Sequence, residues 1–213
     1  MELSGCTVVL GRNRILDDLS LTVPAGSVVG IRGFNGSGKS TVLRVIAGLI
    51  APAEGSVTVF GEPPTVRVPR PRIGAAIDAP ALYGWMSARG YLRTMLDLSG
   101  VPDRGESASA LERFGLADVG RKRIFQYSQG MKKRLSLAAA TLCDPPLVLL
   151  DEPTNALDRQ GEQQVARWVA DHRSSGGTLV LATHRPFDVH LCDEVHDLDQ
   201  GSFVQPEEVR VDG

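Results

Sequence analysis

A run of nine residues, Gly33-Phe34-Asn35-Gly36-Ser37-Gly38-Lys39-Ser40-Thr41, has the types and spacing to hold a triphosphate. The pattern is G-x-x-x-x-G-K-[ST]. Its three glycines let successive backbone N–H groups turn inward around phosphate oxygens, in a nest that β-carbons would crowd. Lys39 can reach the β- and γ-phosphates as a point charge, and the Ser40 hydroxyl suits a Mg²⁺ ion. Ordinary residue usage gives this pattern by accident in on the order of one in a hundred chains of this length. A glycine-rich turn before a basic helix start would look the same in isolation, and the flanks decide. Ser27-Val28-Val29-Gly30-Ile31 precedes the loop as a short apolar run suited to a buried strand. Val42, Val45, Ile46 and Leu49 follow at i, i+3, i+4 and i+7, predicting a helix that breaks near Gly48.

A second set of chemical groups lies far downstream. Leu147-Val148-Leu149-Leu150 is apolar at every position, as a central parallel strand requires, and Asp151-Glu152 follows it directly. A carboxylate at the C-terminal end of a parallel strand stands where ligands bind. Asp151 can hold Mg²⁺, mostly through its water shell, and Glu152 can polarise an attacking water as general base. Two acids after a strand are more often a helix cap or a turn; beside a phosphate loop the catalytic reading outweighs that one. His184 follows the strand Leu179-Val180-Leu181-Ala182 and can contact a γ-phosphate and position water.

Tyr127-Ser128-Gln129-Gly130-Met131-Lys132-Lys133-Arg134 reads as a capped helix start with Ser128 as N-cap. Free N–H groups there also suit a phosphate, and the residues alone leave both readings open. The helix dipole disfavours cations at this end, and capping does not explain Lys132, Lys133 and Arg134.

These groups need elements to position them. Cys6 to Leu10 and Leu19 to Val23, around the turn Gly11-Arg12-Asn13-Arg14, predict an antiparallel lead-in sheet. Ser56 to Phe60 and Ile73 to Ile77 predict further strands, the second finishing at Asp78. Glu62 to Arg72 carries four prolines and three arginines and reads as a stiff solvated loop more readily than as a basic interaction surface. From Trp85 to about Leu142 the pattern is helical without a strand, and then the α/β alternation returns. Val165, Trp168, Val169 and His172 predict a helix, Thr178 to Ala182 a strand, and Glu194 to Val204 a terminal hairpin. The expected layout is one domain over 1–213, with a core of about 1–84 and 144–213 and a helical subdomain of about 85–143.

The 213 residues are 42% apolar and 23% charged, with a net charge of −2. That composition belongs to a globular chain and gives no electrostatic reason for a nucleic-acid partner. No apolar run reaches the roughly 18 residues of a membrane span. Met1-Glu2-Leu3-Ser4 lacks the features of a signal peptide, and three scattered cysteines suggest reduced thiols in the cytoplasm.

In the order and spacing of its motifs the chain resembles the nucleotide-binding subunit of an ABC transporter, over essentially its full length. Gly33 to Thr41 matches the Walker A loop, and Leu147 to Asp151 the Walker B strand with Glu152 as catalytic glutamate. Tyr127-Ser128-Gln129-Gly130-Met131 stands at the LSGGQ-type signature, Asn155-Ala156-Leu157-Asp158 at the D-loop, and His184 at the switch histidine. The resemblance implies an α/β P-loop NTPase core with a mostly parallel sheet, an antiparallel β lead-in and an all-helical insertion. It implies ATP and Mg²⁺, and a head-to-tail dimer with a second copy or a related subunit. ATP would lie between the Walker A loop of one copy and Ser128, Gln129 and Gly130 of the other, with Asp158 in the same nucleotide-facing set. That resolves the choice left open at Ser128. It further implies a separate transmembrane permease, met at the cytoplasmic face, with no membrane insertion by this chain.

Three departures stand out. Asp78 replaces the family's usual glutamine, where an acid can still approach Mg²⁺ or the attacking water. Gln129 and Met131 replace the signature's second glycine and closing glutamine. No aromatic residue sits near Leu10 to stack on adenine, which implies loose discrimination between ATP and GTP. The acid together with a Y/F-S-x-G-M-K signature resembles the antibiotic- and bacteriocin-type exporter ATPases. The alternative, a soluble ABC-type ATPase acting on nucleic acid or ribosomes, calls for coiled coils, zinc modules or a second nucleotide domain that this sequence does not show. A non-hydrolysing regulatory subunit would not need Glu152 and His184.

Overall fold

The computed structural model describes residues 1–64, 72–77 and 82–204. Strands β1 (Glu2–Leu10), β2 (Asn13–Thr22) and β4 (Glu54–Thr58) make an antiparallel sheet in the order β2-β1-β4. Strands β3 (Val28–Arg32), β5 (Ile73–Ala76), β6 (Leu147–Asp151), β7 (Thr178–Thr183), β8 (Glu194–Asp199) and β9 (Ser202–Phe203) make the larger sheet, ordered β5-β6-β7-β3-β8-β9. Every pairing in it is parallel except the β8/β9 hairpin.

The register of this sheet builds the functional edge. Arg32 stands opposite Thr183, and Asp151 opposite Ala182. The C-terminal ends of β3, β6 and β7 therefore finish side by side, and the residues that follow them emerge at one edge. Side chains of successive strand residues point to opposite faces. Val28, Val148, Leu150, Leu179 and Leu181 join one apolar core, while Val29, Ile31, Leu147, Leu149 and Val180 join the other. Burial on both faces explains why these strands are apolar throughout, without alternation.

Helix α1 (Lys39–Ile46) covers the face toward the antiparallel sheet through Val42, Leu43, Val45 and Ile46. Helices α2 (Ala88–Leu98), α3 (Glu106–Arg113) and α4 (Gln129–Ala140) follow one another, with two short 3₁₀ turns between α3 and α4. Helix α5 (Arg159–Ser174) lays Val165, Trp168 and Val169 on the same core as α4. The short α6 (Pro186–Val189) comes directly after the His184 turn.

Several boundaries differ from the sequence pattern for local reasons. Leu49 is not part of the α1 stripe and is 62% exposed. Gly48 takes φ 71°, and Leu49 N–H and Gly48 N–H bond the carbonyls of Arg44 and Val45, a Schellman ending that turns Leu49 outward. Leu43, fully buried, packs on the core in its place. The same ending at Gly115 stops α3 at Arg113, leaving Phe114 and Leu116 buried beyond the helix. The lead-in strands are longer than their apolar stretches because their polar residues line the exposed face, and the hairpin turns tightly at Gly11-Arg12. β4 begins two residues early and ends at Thr58, since Phe60 adopts φ 55°. Asp78 and most of the Pro/Arg-rich loop lie outside the described residues.

Candidate nucleotide site

The loop after β3 is shaped by its glycines. A β-carbon at Gly33 would overlap the Leu198 carbonyl, and Gly36 and Gly38 adopt φ 87° and 109°. Gly38 is the N-cap of α1 and offers no capping side chain, which leaves the first N–H groups of the helix to a ligand. Lys39 is 5% exposed, and its Nζ donates to the carbonyls of Gly33 (2.8 Å) and Phe34 (3.0 Å). Asn35 is exposed, Phe34 is 84% exposed, and Thr41 is buried beneath the loop. The Ser37 hydroxyl is buried inside the loop without a hydrogen-bond partner.

The acids meet this loop across the sheet edge. Ser40 Oγ donates to Asp151 Oδ2 at 2.6 Å. A hydroxyl and a carboxylate converging on one point are hard oxygen donors, the set that suits Mg²⁺. Among the described residues no cluster of three His, Cys, Asp or Glu side chains offers a competing metal site. Glu152 takes φ 47°, and its N–H bonds the Ala182 carbonyl, which swings its side chain off the end of β6 toward the loop. Its Oε1 lies 2.7 Å from His184 Nδ1 and 4.0 Å from Lys39 Nζ. A carboxylate, an imidazole and an ammonium thus share one corner of the site, equipped to accept a proton beside bound phosphate.

Ser128 caps α4 by accepting from Met131 N–H at 3.2 Å, and it is exposed together with Gln129. Gly130 passes close under the segment after β6: a β-carbon there would lie 2.9 Å from the Ala156 carbonyl oxygen. Asp158 caps α5, accepting from Gly161 N–H at 2.8 Å. The loop, Asp151, Glu152 and His184 are thus brought together within the chain, while Ser128 and Gln129 face outward on α4.

One of the three unexplained cations of α4 has its answer here. Lys133 Nζ donates to the Asp151 backbone carbonyl at 2.7 Å, and burial pushes its pKa down against the pull of Asp151, Glu152 and Asp188. The dipole anomaly in the sequence pointed to this residue without showing its target. A cavity of about 650 Å³ opens beside it, bounded by Leu82, Phe125, Lys133, Asp151, Glu152 and Ala156. The polar residues Thr154, Thr183, Arg185 and Asp188 also adjoin the catalytic pair, and no sequence pattern had marked them.

A glycine cradle at a helix start, facing a hydroxyl–carboxylate pair and a glutamate at the C-terminal edge of a parallel sheet, defines a P-loop nucleoside triphosphatase. A family model described as "ABC transporter" matches residues 16–155. The uncharacterized ABC transporter ATP-binding protein YybJ of Bacillus subtilis is 31% identical over 98% of this chain and 97% of its own length. The lantibiotic transport ATP-binding protein SrtF of Streptococcus pyogenes is 32% identical over 93% of this chain and 86% of its own. The solved dimer of MJ0796, a bacterial ABC transporter cassette, superposes with a TM-score of 0.83 at 25% identity, covering 96% of each chain. The chain belongs to the ABC transporter family, as an ATP-binding ATPase subunit.

Proposed function

We propose that this ATPase works as a head-to-tail dimer that drives a separate membrane permease, exporting a peptide, antibiotic or other small molecule from the cytoplasmic face. The observation that carries the reading is the single edge where Lys39, Ser40, Asp151, Glu152 and His184 converge. Lys39 and the loop N–H groups hold the β- and γ-phosphates. Glu152 accepts the proton of the attacking water, and His184, bonded to its Oε1, orients the carboxylate and shares its charge. Ser40 and Asp151 would hold Mg²⁺, which would supply charge neutralisation at the phosphate oxygens.

The dimer is supported by the dimeric MJ0796 cassette and by the exposure of Ser128 and Gln129 at the start of α4. Export is supported by SrtF, whose name assigns it to lantibiotic transport. Among the described residues no helix is long and apolar enough to cross a membrane. Tyr83, Trp85 and Phe125 are each at least half exposed and lie together, with Phe125 N–H bonded to the Gly84 carbonyl. The cavity that reaches Glu152 opens at Phe125, which gives a permease segment seated on this patch a route to the catalytic pair.

Glu152→Gln tests the reading. Steady-state turnover in the purified complex should fall by about 10²–10⁴-fold while ATP binding persists. Unchanged turnover would remove Glu152 from the general-base role.

A further inference from the structure

A polar network lies directly behind the catalytic pair. Thr154, Thr183 and Asp188 are fully buried, and such groups are stable only when hydrogen-bonded. Asp188 accepts a hydroxyl at each oxygen, Thr154 at Oδ1 and Thr183 at Oδ2, both at 2.7 Å. The Thr183 proton is thereby committed to Asp188, and the 3.5 Å separation from Glu152 Oε2 is too long to compete for it. Thr183 Oγ1 in turn accepts from Arg185 N–H at 3.0 Å, which pins the His184 turn to the end of β7.

The Arg185 side chain completes the network in an unusual way. Nη1 donates to Thr154 twice, to its carbonyl at 2.5 Å and its Oγ1 at 2.6 Å. Nη2 donates to Glu162 Oε1 at 2.7 Å, in the first turn of α5. Thr154 and Glu162 flank the segment Asn155–Asp158 on either side. One planar guanidinium therefore holds both ends of that segment, and its own backbone adjoins the histidine that bonds Glu152. A lysine would offer one point charge in place of the fork.

We propose that Arg185 is a positioning residue that couples the Asn155–Asp158 segment to the Glu152–His184 pair, letting a partner copy set the catalytic geometry by pressing on that segment. The proposal rests on the dimeric ATPase reading above. Movement of the segment pulls on Thr154 and Glu162 together, and through Arg185 it turns the His184 loop. The coupling acts on hydrolysis and on dimer closure, and leaves the phosphate loop untouched.

The test measures kinetics on the full chain with its permease and dimerisation on the full chain alone, with MgATP as the probe in both. Arg185→Lys should lower kcat about tenfold, the cost of a sub-ångström misplacement, while KM for ATP changes less than about twofold. In a Glu152→Gln background, where turnover no longer drains the bound state, the ATP concentration for half-maximal dimerisation should rise. The ATP affinity of the monomer should stay the same. Glu162→Gln weakens one anchor by removing its charge and keeps the Thr154 bonds; it should give the same split at smaller size even if Arg185→Lys folds poorly. Parallel loss of nucleotide affinity and thermal stability, or unchanged kcat and dimerisation in both variants, overturns the proposal. Turnover that survives Glu152→Gln overturns the site assignment itself. Turnover lost in Glu152→Gln but normal in Arg185→Lys and Glu162→Gln removes only the positioning role.

Discussion

The two halves of α4 are held by different forces. Its C-terminal half buries Leu135, Leu137, Ala138 and Ala140 in the core and lies so close to β5 that a β-carbon at Gly74 would overlap the Ala140 carbonyl. Its N-terminal half exposes Ser128 and Gln129 and meets the sheet edge through Lys133 on the Asp151 carbonyl and Gly130 under Ala156. Apolar burial is non-directional and fixes where a helix rests; hydrogen bonds are angular and fix where its end points. The base of α4 is thus a mount and its tip an arm whose direction its hydrogen bonds set. The arm is tied to the strand end that carries Asp151 and Glu152.

The largest expected effect falls on the mount. Gly74→Ala places a methyl group against backbone, which cannot rotate away as a side chain would, and β5 and α4 must part. Stability to denaturant should fall by about 3 kcal/mol, near the upper end for an overpacked core. An unchanged midpoint would show that the base of α4 shifts freely and would dissolve the distinction between the halves. Lys133→Met acts next, on the arm. It keeps most of the stem but leaves the Asp151 carbonyl without its charged donor, at a cost of about 1–2 kcal/mol. Amide exchange should quicken over residues 128–134 and stay slow over residues 135–140, with hydrolysis reduced and ATP binding kept. Equal protection in both halves would contradict the mount-and-arm description.

What the sequence made legible follows the same division. The mount was visible only as part of the helical pattern that runs without a strand from Trp85 to about Leu142. The phosphate loop, Asp151, Glu152 and His184 were visible because their chemistry is written in residue type beside an apolar strand. The arm's contacts were not, because they depend on tertiary placement: the packing of α4 against β5 and β6 puts the Asp151 carbonyl within reach of Lys133. Gly74 and Gly130 look like ordinary glycines until two backbones are seen to approach at them. Arg185 carries no pattern at all, and its three acceptors come from segments brought together only by the fold. Leu49 was misplaced because hydrophobic spacing continued one turn past a Schellman ending that the glycine imposes.

The smallest expected effect on stability is the one that best separates the arm's structural duty from its chemical one. Ser128→Ala removes a cap whose hydroxyl accepts a single 3.2 Å bond from Met131 N–H, worth about 1 kcal/mol. If the arm served only to end a helix, turnover would fall no further than that loss implies. In the proposed head-to-tail dimer the same hydroxyl would close on nucleotide held by the other copy, and turnover should then fall well beyond it. Mixing two inactive variants decides the matter. A dimer of one Ser128→Ala copy and one Lys39→Ala copy has one site damaged twice and the other untouched, because Lys39 of the first copy meets Ser128 of the second. Activity that returns on mixing requires the loop and the arm to act across the interface; a mixture as inactive as its parts would place both in the same copy.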